Sequence, residues 1–270
     1  MKHPVPAVAE RPADEAGRPN LLRCNILAGG SVRRYRDYVT HSWKHVLPTG
    51  KRANLDVLAR VIGEFDLVGL QEADAGSLRS GFLNQTQYLA EAAAFPFWSH
   101  QPNRRVSRLA TSSNGLLARM QPDEVLDYPL PGRIPGRGAL WARFGEGEHS
   151  LVVVIAHLSL GPAARMRQLG FIAELLGHHP NVVLMGDLNT PPGSAELKML
   201  YSKTALEPPH ESPATFPSWR PTRAIDHILV SGAITVERRW ALSHPVSDHL
   251  PVAASIVLPS TLGAGARKPA

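Results

Sequence analysis

The chain has 270 residues, 43% hydrophobic and 19% charged, enough apolar material for one large core and against wholesale disorder. Lys and Arg number 29 against 23 Asp and Glu; the net charge of +6 permits a polyanionic ligand without requiring one. The single cysteine, Cys24, excludes an internal disulfide framework and a multi-cysteine zinc site, and no stretch reaches the roughly 18 apolar residues of a membrane-spanning helix.

Residues 1–19 combine Pro, Ala and charge without apolar periodicity and predict a disordered arm with no secretory core. A short apolar run covers 21–27. Over 54–64, Leu55, Leu58, Ala59 and Ile62 recur at helical spacing. Residues 66–71 are apolar again, and 84–94 read as a helix with Tyr88, Leu89 and Ala92 on one side. Short strands are expected at 114–119 and 139–144. Residues 150–157 carry Leu151 to Ala156 without a charge, as in a strand covered on both faces. The stretch 162–177 opens on Pro162, closes on Gly177 and turns Met166, Leu169, Ile172, Ala173 and Leu176 inward on a helix.

A buried strand at 182–185 and a short helix at 195–201 follow. Strands at 225–231, 234–241 and 251–257 close the domain, with Ser231-Gly232-Ala233 as a tight turn between the first two. Consecutive strands predict antiparallel pairing, and hence a layered α/β sandwich of mixed sheets rather than a purely parallel one. Residues 259–270 predict a flexible tail. One domain over 20–258 is the simplest organisation.

Short polar groups punctuate the apolar runs. Asn25 sits in the first, Glu72 ends the second, and His157 ends the strand at 150–157. Asp187 and Asn189 follow the strand at 182–185, Asp226 opens the next, and Ser247-Asp248-His249 precedes the last. Each alone reads most simply as a cap or turn residue. Together, four carboxylates, two amides and two imidazoles at neighbouring strand ends predict one pocket. Carboxylates so gathered repel unless a cation compensates them. Hard oxygen donors suit Mg2+ or Mn2+ better than zinc, and such an ion beside two imidazoles suits attack of water on phosphorus. One imidazole can take the proton from water, with an Asp fixing its tautomer.

At these residues the chain resembles the endonuclease/exonuclease/phosphatase superfamily, the deoxyribonuclease I-like metal-dependent phosphohydrolases. Gly186-Asp187-Leu188-Asn189-Thr190-Pro191 and Ser247-Asp248-His249-Leu250-Pro251-Val252 are the most specific pieces, supported by Gln71-Glu72 and Ile225-Asp226-His227-Ile228. The resemblance runs from about Leu21 to Val257. It implies a four-layered α/β sandwich, with two mixed, mainly antiparallel sheets face to face and helices outside. It also implies roles. Glu72 resembles the principal metal ligand, with Asn25 and Asp248 in the same set. Asp187 resembles the residue that orients or deprotonates water, and Asn189 one that contacts water and phosphate. His249 resembles the general base or a phosphate contact, with Asp226 as its orienting partner. His157 resembles the His of the deoxyribonuclease and sphingomyelinase branches, and Asn114 a substrate contact. His227 replaces a Tyr common in the family; strand alternation turns it away from Asp226.

A phosphate-containing substrate is therefore expected, with nucleic acid one option. The cytoplasm is the expected location, with neither a stable membrane association nor an obligate protein partner. A phosphodiesterase or nuclease leads. A phosphatase or phospholipase C-like hydrolase, or a non-catalytic binding protein of the same fold, are the alternatives. Basic clusters at Arg33, Arg34 and Arg36, at Arg104, Arg105 and Arg108, and at Arg133 and Arg137 are candidate phosphate contacts or plain surface charge. Residues 215–219 are a candidate cleft rim, and His41 and His45 a weaker metal pair.

Overall fold

A computed structural model describes residues 17–26, 51–77, 80, 82–106, 110–132, 136–177, 179–243 and 246–263. The expected arm up to residue 16, the tail beyond 263, the Arg33–Arg36 cluster, His41, His45, Arg108 and Arg133 lie outside the described residues.

Strands β1 (Asn20–Asn25), β2 (Leu67–Asp74), β3 (Phe97–Val106), β4 (Ala110–Ala118), β10 (Thr235–Ala241) and β11 (Val252–Val257) form a six-stranded sheet in the order β10-β11-β1-β2-β4-β3. Strands β5 (Glu124–Pro129), β6 (Gly138–Phe144), β7 (Leu151–His157), β8 (Val182–Asp187) and β9 (Asp226–Val230) form a second sheet in chain order. Among the described residues each sheet holds one parallel pair, β1 with β2 and β7 with β8, and every other pairing is antiparallel.

Period-two alternation sorts side chains between layers. Leu21, Leu67, Leu116, Ile155, Met185, Ile228 and Val252 fill the space between the sheets. Gly69 lets the sheets approach closely: a Cβ there would lie 2.6 Å from Met185 Sδ. Outward residues Leu22, Cys24, Val68 and Leu70 pack under helices α1 (Lys51–Ile62) and α2 (Gln85–Ala92). Val152, Val154, Leu184 and Leu229 pack under α3 (Pro162–Leu176) and α4 (Ala195–Lys203). The result is the four-layered α/β sandwich.

Several expectations change. Strands β3 and β5, each an edge of its sheet, escape the sequence reading. Edge β3 tolerates Pro102 at an irregularity in its register, and edge β5 keeps a mostly exposed, polar face. Ser231-Gly232-Ala233 joins strands that do not pair. It carries the chain from the five-stranded sheet to the six-stranded one, and the expected antiparallel partner of β10 is β11. Residues 17–19 are not disordered: the carbonyls of Gly17 and Pro19 accept from Leu258 and Ile256. The expected tail opens with a helical turn, α5 (Ser260–Gly263), whose Leu262 packs on the inter-sheet core. On α3, Met166 faces out, while Arg165 turns in to meet Glu196 of α4, Nη2 to Oε1 2.8 Å.

Candidate active site and metal centre

The parallel pairs end at the same edge of the sandwich and carry the candidate residues there. Asn25 is the last residue of β1, buried beside Gln71 of β2. The β2–β4 register slips between Leu70 and Ala73, and Glu72 has φ of 58°. A bulge of this kind re-aims a side chain, and the left-handed conformation costs a non-glycine residue about 1–2 kcal/mol. The re-aimed Glu72 Oε1 comes within 4.0 Å of His157 Nε2, which belongs to the other sheet.

On that sheet three candidates stand in one row. His157 is the register partner of Asp187, and Asp187 that of Asp226. Partners in register point to the same face, so one imidazole and two carboxylates line up across β7, β8 and β9. His157 Nε2 lies 3.5 Å from Asp187 Oδ2. The close β7–β8 approach depends on Gly186, where a Cβ would fall 1.8 Å from the Ala156 carbonyl oxygen.

His249 reaches this row from the loop before β11. Its Nδ1 is 2.9 Å from Asp226 Oδ2 and its Nε2 is 3.8 Å from Asp187 Oδ2. Because an ionised Asp226 can only accept, the Nδ1 carries the proton and Nε2 faces Asp187. The segment at 215–218 holds the loop: Ser218 N–H donates to the Asp248 carbonyl (2.7 Å), Leu250 N–H to that of Thr215 (2.9 Å). The Phe216 ring packs 4.8 Å from the His249 ring, so the expected rim residue is part of the site wall. Asp248, half-buried, sits in this loop next to His249.

Asn189 also takes a left-handed φ, 52°, which Asn tolerates better than most residues. Its backbone N–H donates to Asp187 Oδ1 (3.1 Å) and its Nδ2 to the Leu158 carbonyl (2.9 Å). His227 faces the helix layer, its Nε2 2.8 Å from the Thr190 carbonyl, as alternation predicts. Asn114 departs from its expected role as a substrate contact. It is fully buried, and its amide nitrogen donates to Gln101 Oε1 (3.1 Å) and the Gly138 carbonyl (2.9 Å), with the Ile155 carbonyl 3.4 Å away, which ties β4 to the other sheet.

Arg23 escaped the sequence reading of the site, and Thr215 and Arg137 entered it only as a rim residue and as a phosphate contact or surface charge. Arg23, fully buried on β1, touches Asp226 Oδ1 through Nη1 and lies 4.0 Å from Asp187 Oδ2 through Nη2. A charge inside the run Leu-Leu-Arg-Cys-Asn, two residues before Asn25 and so on the same face, was the available signal. Thr215 donates its hydroxyl to Asp226 Oδ2. Arg137, flagged only as surface or phosphate contact, lies close enough to depress the His157 imidazole.

The electrostatics follow from this crowding. Burial raises Asp187, with the Asp226 charge adding to it and His249 and Arg23 opposing, to about 6. Burial also works to raise Asp226, but Arg23 and the His249 contact outweigh it and hold it below the ordinary carboxylate value. His249 is pulled down by burial and raised further by its hydrogen bond to Asp226 and the Asp226 and Asp187 charges, for a net upward shift. His157 is pushed well down by burial, then by Arg137, Arg23 and His249, so it is neutral at neutral pH.

Asp187, Asp226 and His249 offer donor atoms within 4.8 Å of one another, close enough to share a divalent ion. The carboxylate of Glu72, reached through His157, adds a further hard oxygen donor at the same edge. Carboxylates and one imidazole fit a hard divalent cation better than a soft one.

Similarity to known proteins agrees with this geometry. No curated protein matches the chain. An endonuclease/exonuclease/phosphatase family protein from Bacteroides thetaiotaomicron is 20% identical, with 89% of this chain and 98% of that one covered at a TM-score of 0.66. A counterpart from Beutenbergia cavernae is 19% identical, covering 90% and 72%, at 0.70. The mannosyl-6-phosphatase of Bacteroides thetaiotaomicron is 19% identical, covering 89% and 100%, at 0.63. At such identities the likeness establishes the fold. The family model named Endonuclease/Exonuclease/phosphatase family matches residues 25–249, from the end of β1 to the His249 loop, and the chain belongs to that family.

Proposed function

We propose that the chain is a Mg2+- or Mn2+-dependent phosphodiesterase, acting on a phosphate-containing substrate of which nucleic acid is one class. The observation that carries it is the His249–Asp226 pair, 2.9 Å apart, facing the carboxylate of Asp187. Glu72 would hold the ion, with Asn25 and Asp248 beside it. The bound ion supplies polarisation of a phosphoryl oxygen and stabilisation of the leaving oxyanion. Asp187 and His249 Nε2 converge on the attacking water, and His249 takes its proton while Asp226 fixes the tautomer and stabilises the imidazolium. Asn189, whose Nδ2 is engaged by Leu158, offers its Oδ1 to the same water. Neutral His157 donates a hydrogen bond to the phosphate.

A second reading, a phosphomonoesterase, is favoured by one observation. Arg137 adds positive charge around His157, which suits a dianionic monoester. Assay of the purified chain with Mg2+ or Mn2+ against DNA, RNA, bis(4-nitrophenyl) phosphate and sugar phosphates separates the two. The expected result is metal-dependent turnover of the diesters. Preferential turnover of monoesters selects the second reading, and inertness of a folded, metal-binding chain toward every class removes both.

Among the described residues no helix is long and apolar enough to cross a membrane.

A further inference from the structure

The interior face of β1 is apolar at Leu21 and polar at Asn25, with Arg23 between them. A guanidinium keeps its proton across the physiological range, and a buried charge persists only beside opposite charge. Arg23 is wholly buried and reaches from one sheet to the facing carboxylates of the other, touching Asp226 and lying 4.0 Å from Asp187. Those two residues are direct partners in the β8–β9 ladder. None of the three guanidinium nitrogens makes a hydrogen bond of normal geometry among the described residues. The contact with Asp226 and the approach to Asp187 are what seat the side chain.

We propose that Arg23 is the second cation of the site, a fixed positive charge that neutralises the Asp187–Asp226 pair from inside the fold so that one divalent ion completes it. The inference rests on the metal-dependent reading and deepens it. Asp187 and Asp226 lie close enough to each other and to His249 to bring in an ion of their own. With Arg23 in contact, a second ion there meets a like charge that cannot titrate away. Arg23 acts through these carboxylates and is a positioning residue. It keeps the pair free for the His249 imidazole and the attacking water.

The test is metal stoichiometry. The full chain, stripped of metal, is equilibrated with Mn2+ and the free ion is read by electron paramagnetic resonance. One Mn2+ per chain is expected for the wild type and for Arg23→Lys, which keeps the charge. Arg23→Met, neutral and of similar length, is expected to take up a second Mn2+, its dissociation constant lowered about tenfold or more. Two ions in the wild type overturn the proposal, as does an Arg23→Met chain that melts cooperatively and binds one ion with unchanged affinity. If Arg23→Met does not fold, the wild-type and Arg23→Lys counts decide, and two ions in either one sink it. A wild-type chain that binds no Mn2+ overturns the metal-dependent reading itself, a result distinct from two ions.

Discussion

His249 Nδ1 lies 2.9 Å from Asp226 Oδ2, and the two residues hang from different sheets. Asp226 is held there by the Thr215 hydroxyl and the Arg23 guanidinium as well. In Asp226→Asn the new amide can donate to Nδ1, which moves the imidazole proton to Nε2 and leaves no base toward the water. The expected loss in kcat is about 10³-fold or more at unchanged far-ultraviolet circular dichroism. Retention of kcat within threefold would remove Asp226 from the proton path.

The upward shift of His249 fixes the sign of a pH profile. A general base must be neutral, so kcat/KM is expected to rise with pH through a midpoint above the ordinary histidine value of 6.5. A midpoint below that value rules out His249 as the base. For stability the direction is opposite. Because the folded value is raised, the protonated His249 contributes stability that is complete below the unfolded value and is lost as pH rises through the folded one. The melting-temperature gap between wild type and His249→Gln is therefore expected to shrink as pH increases over that window.

Asp187 illustrates a site residue that strains its surroundings. Burial and the Asp226 charge push it up to about 6, so the metal-free fold loses stability as pH rises from the ordinary Asp value of 3.8 to about 6 and carries the full penalty above that. Asp187→Asn is expected to stabilise the metal-free chain at pH 8 by on the order of 1–3 kcal/mol while abolishing turnover. A lowered melting temperature at pH 8 contradicts the assignment.

Gly186→Ala tests the row of site residues through the backbone. The added methyl meets the Ala156 carbonyl oxygen at 1.8 Å, and a main-chain atom cannot rotate aside. A destabilisation of about 3 kcal/mol or more is expected in urea titration, with activity falling because His157 and Asp187 part company. A variant as stable as the wild type would mean that the β7–β8 ladder is looser than the contact implies.

His227 is the control. His227→Leu leaves the Thr190 carbonyl without its buried donor, at a cost of about 1–3 kcal/mol, while kcat stays within a few-fold because the side chain faces the helices. A collapse of kcat in a folded variant would give His227 a part in the chemistry.

Central strands and amphipathic helices were legible in the sequence because their burial is periodic. The runs at β7 and β8 and the helix α3 all fall within a residue or two of expectation. Of the edge strands, β3 and β5 were not, since β3 is interrupted by Pro102 and β5 leaves most of its residues exposed. For the site, the motifs around Asp187, Asn189 and His249 gave the residues but not their arrangement. Nothing in Leu-Gln-Glu announces the bulge and positive φ that turn Glu72 toward His157, because bulges follow from pairing partners distant in sequence. Arg23 was legible in principle, as a charge at an inward position, but its partners on β8 and β9 exist only in the closed sandwich.

That crossing at residues 231–233 makes the Asp226–His249 contact a clasp between two halves of the molecule. No fragment that stops before it brings the acid and the imidazole together, and any breathing motion that parts the sheets disarms the enzyme before it unfolds. Turnover is thereby a readout of sandwich closure: inhibition that precedes the loss of helical signal in mild denaturant is the signature this architecture dictates.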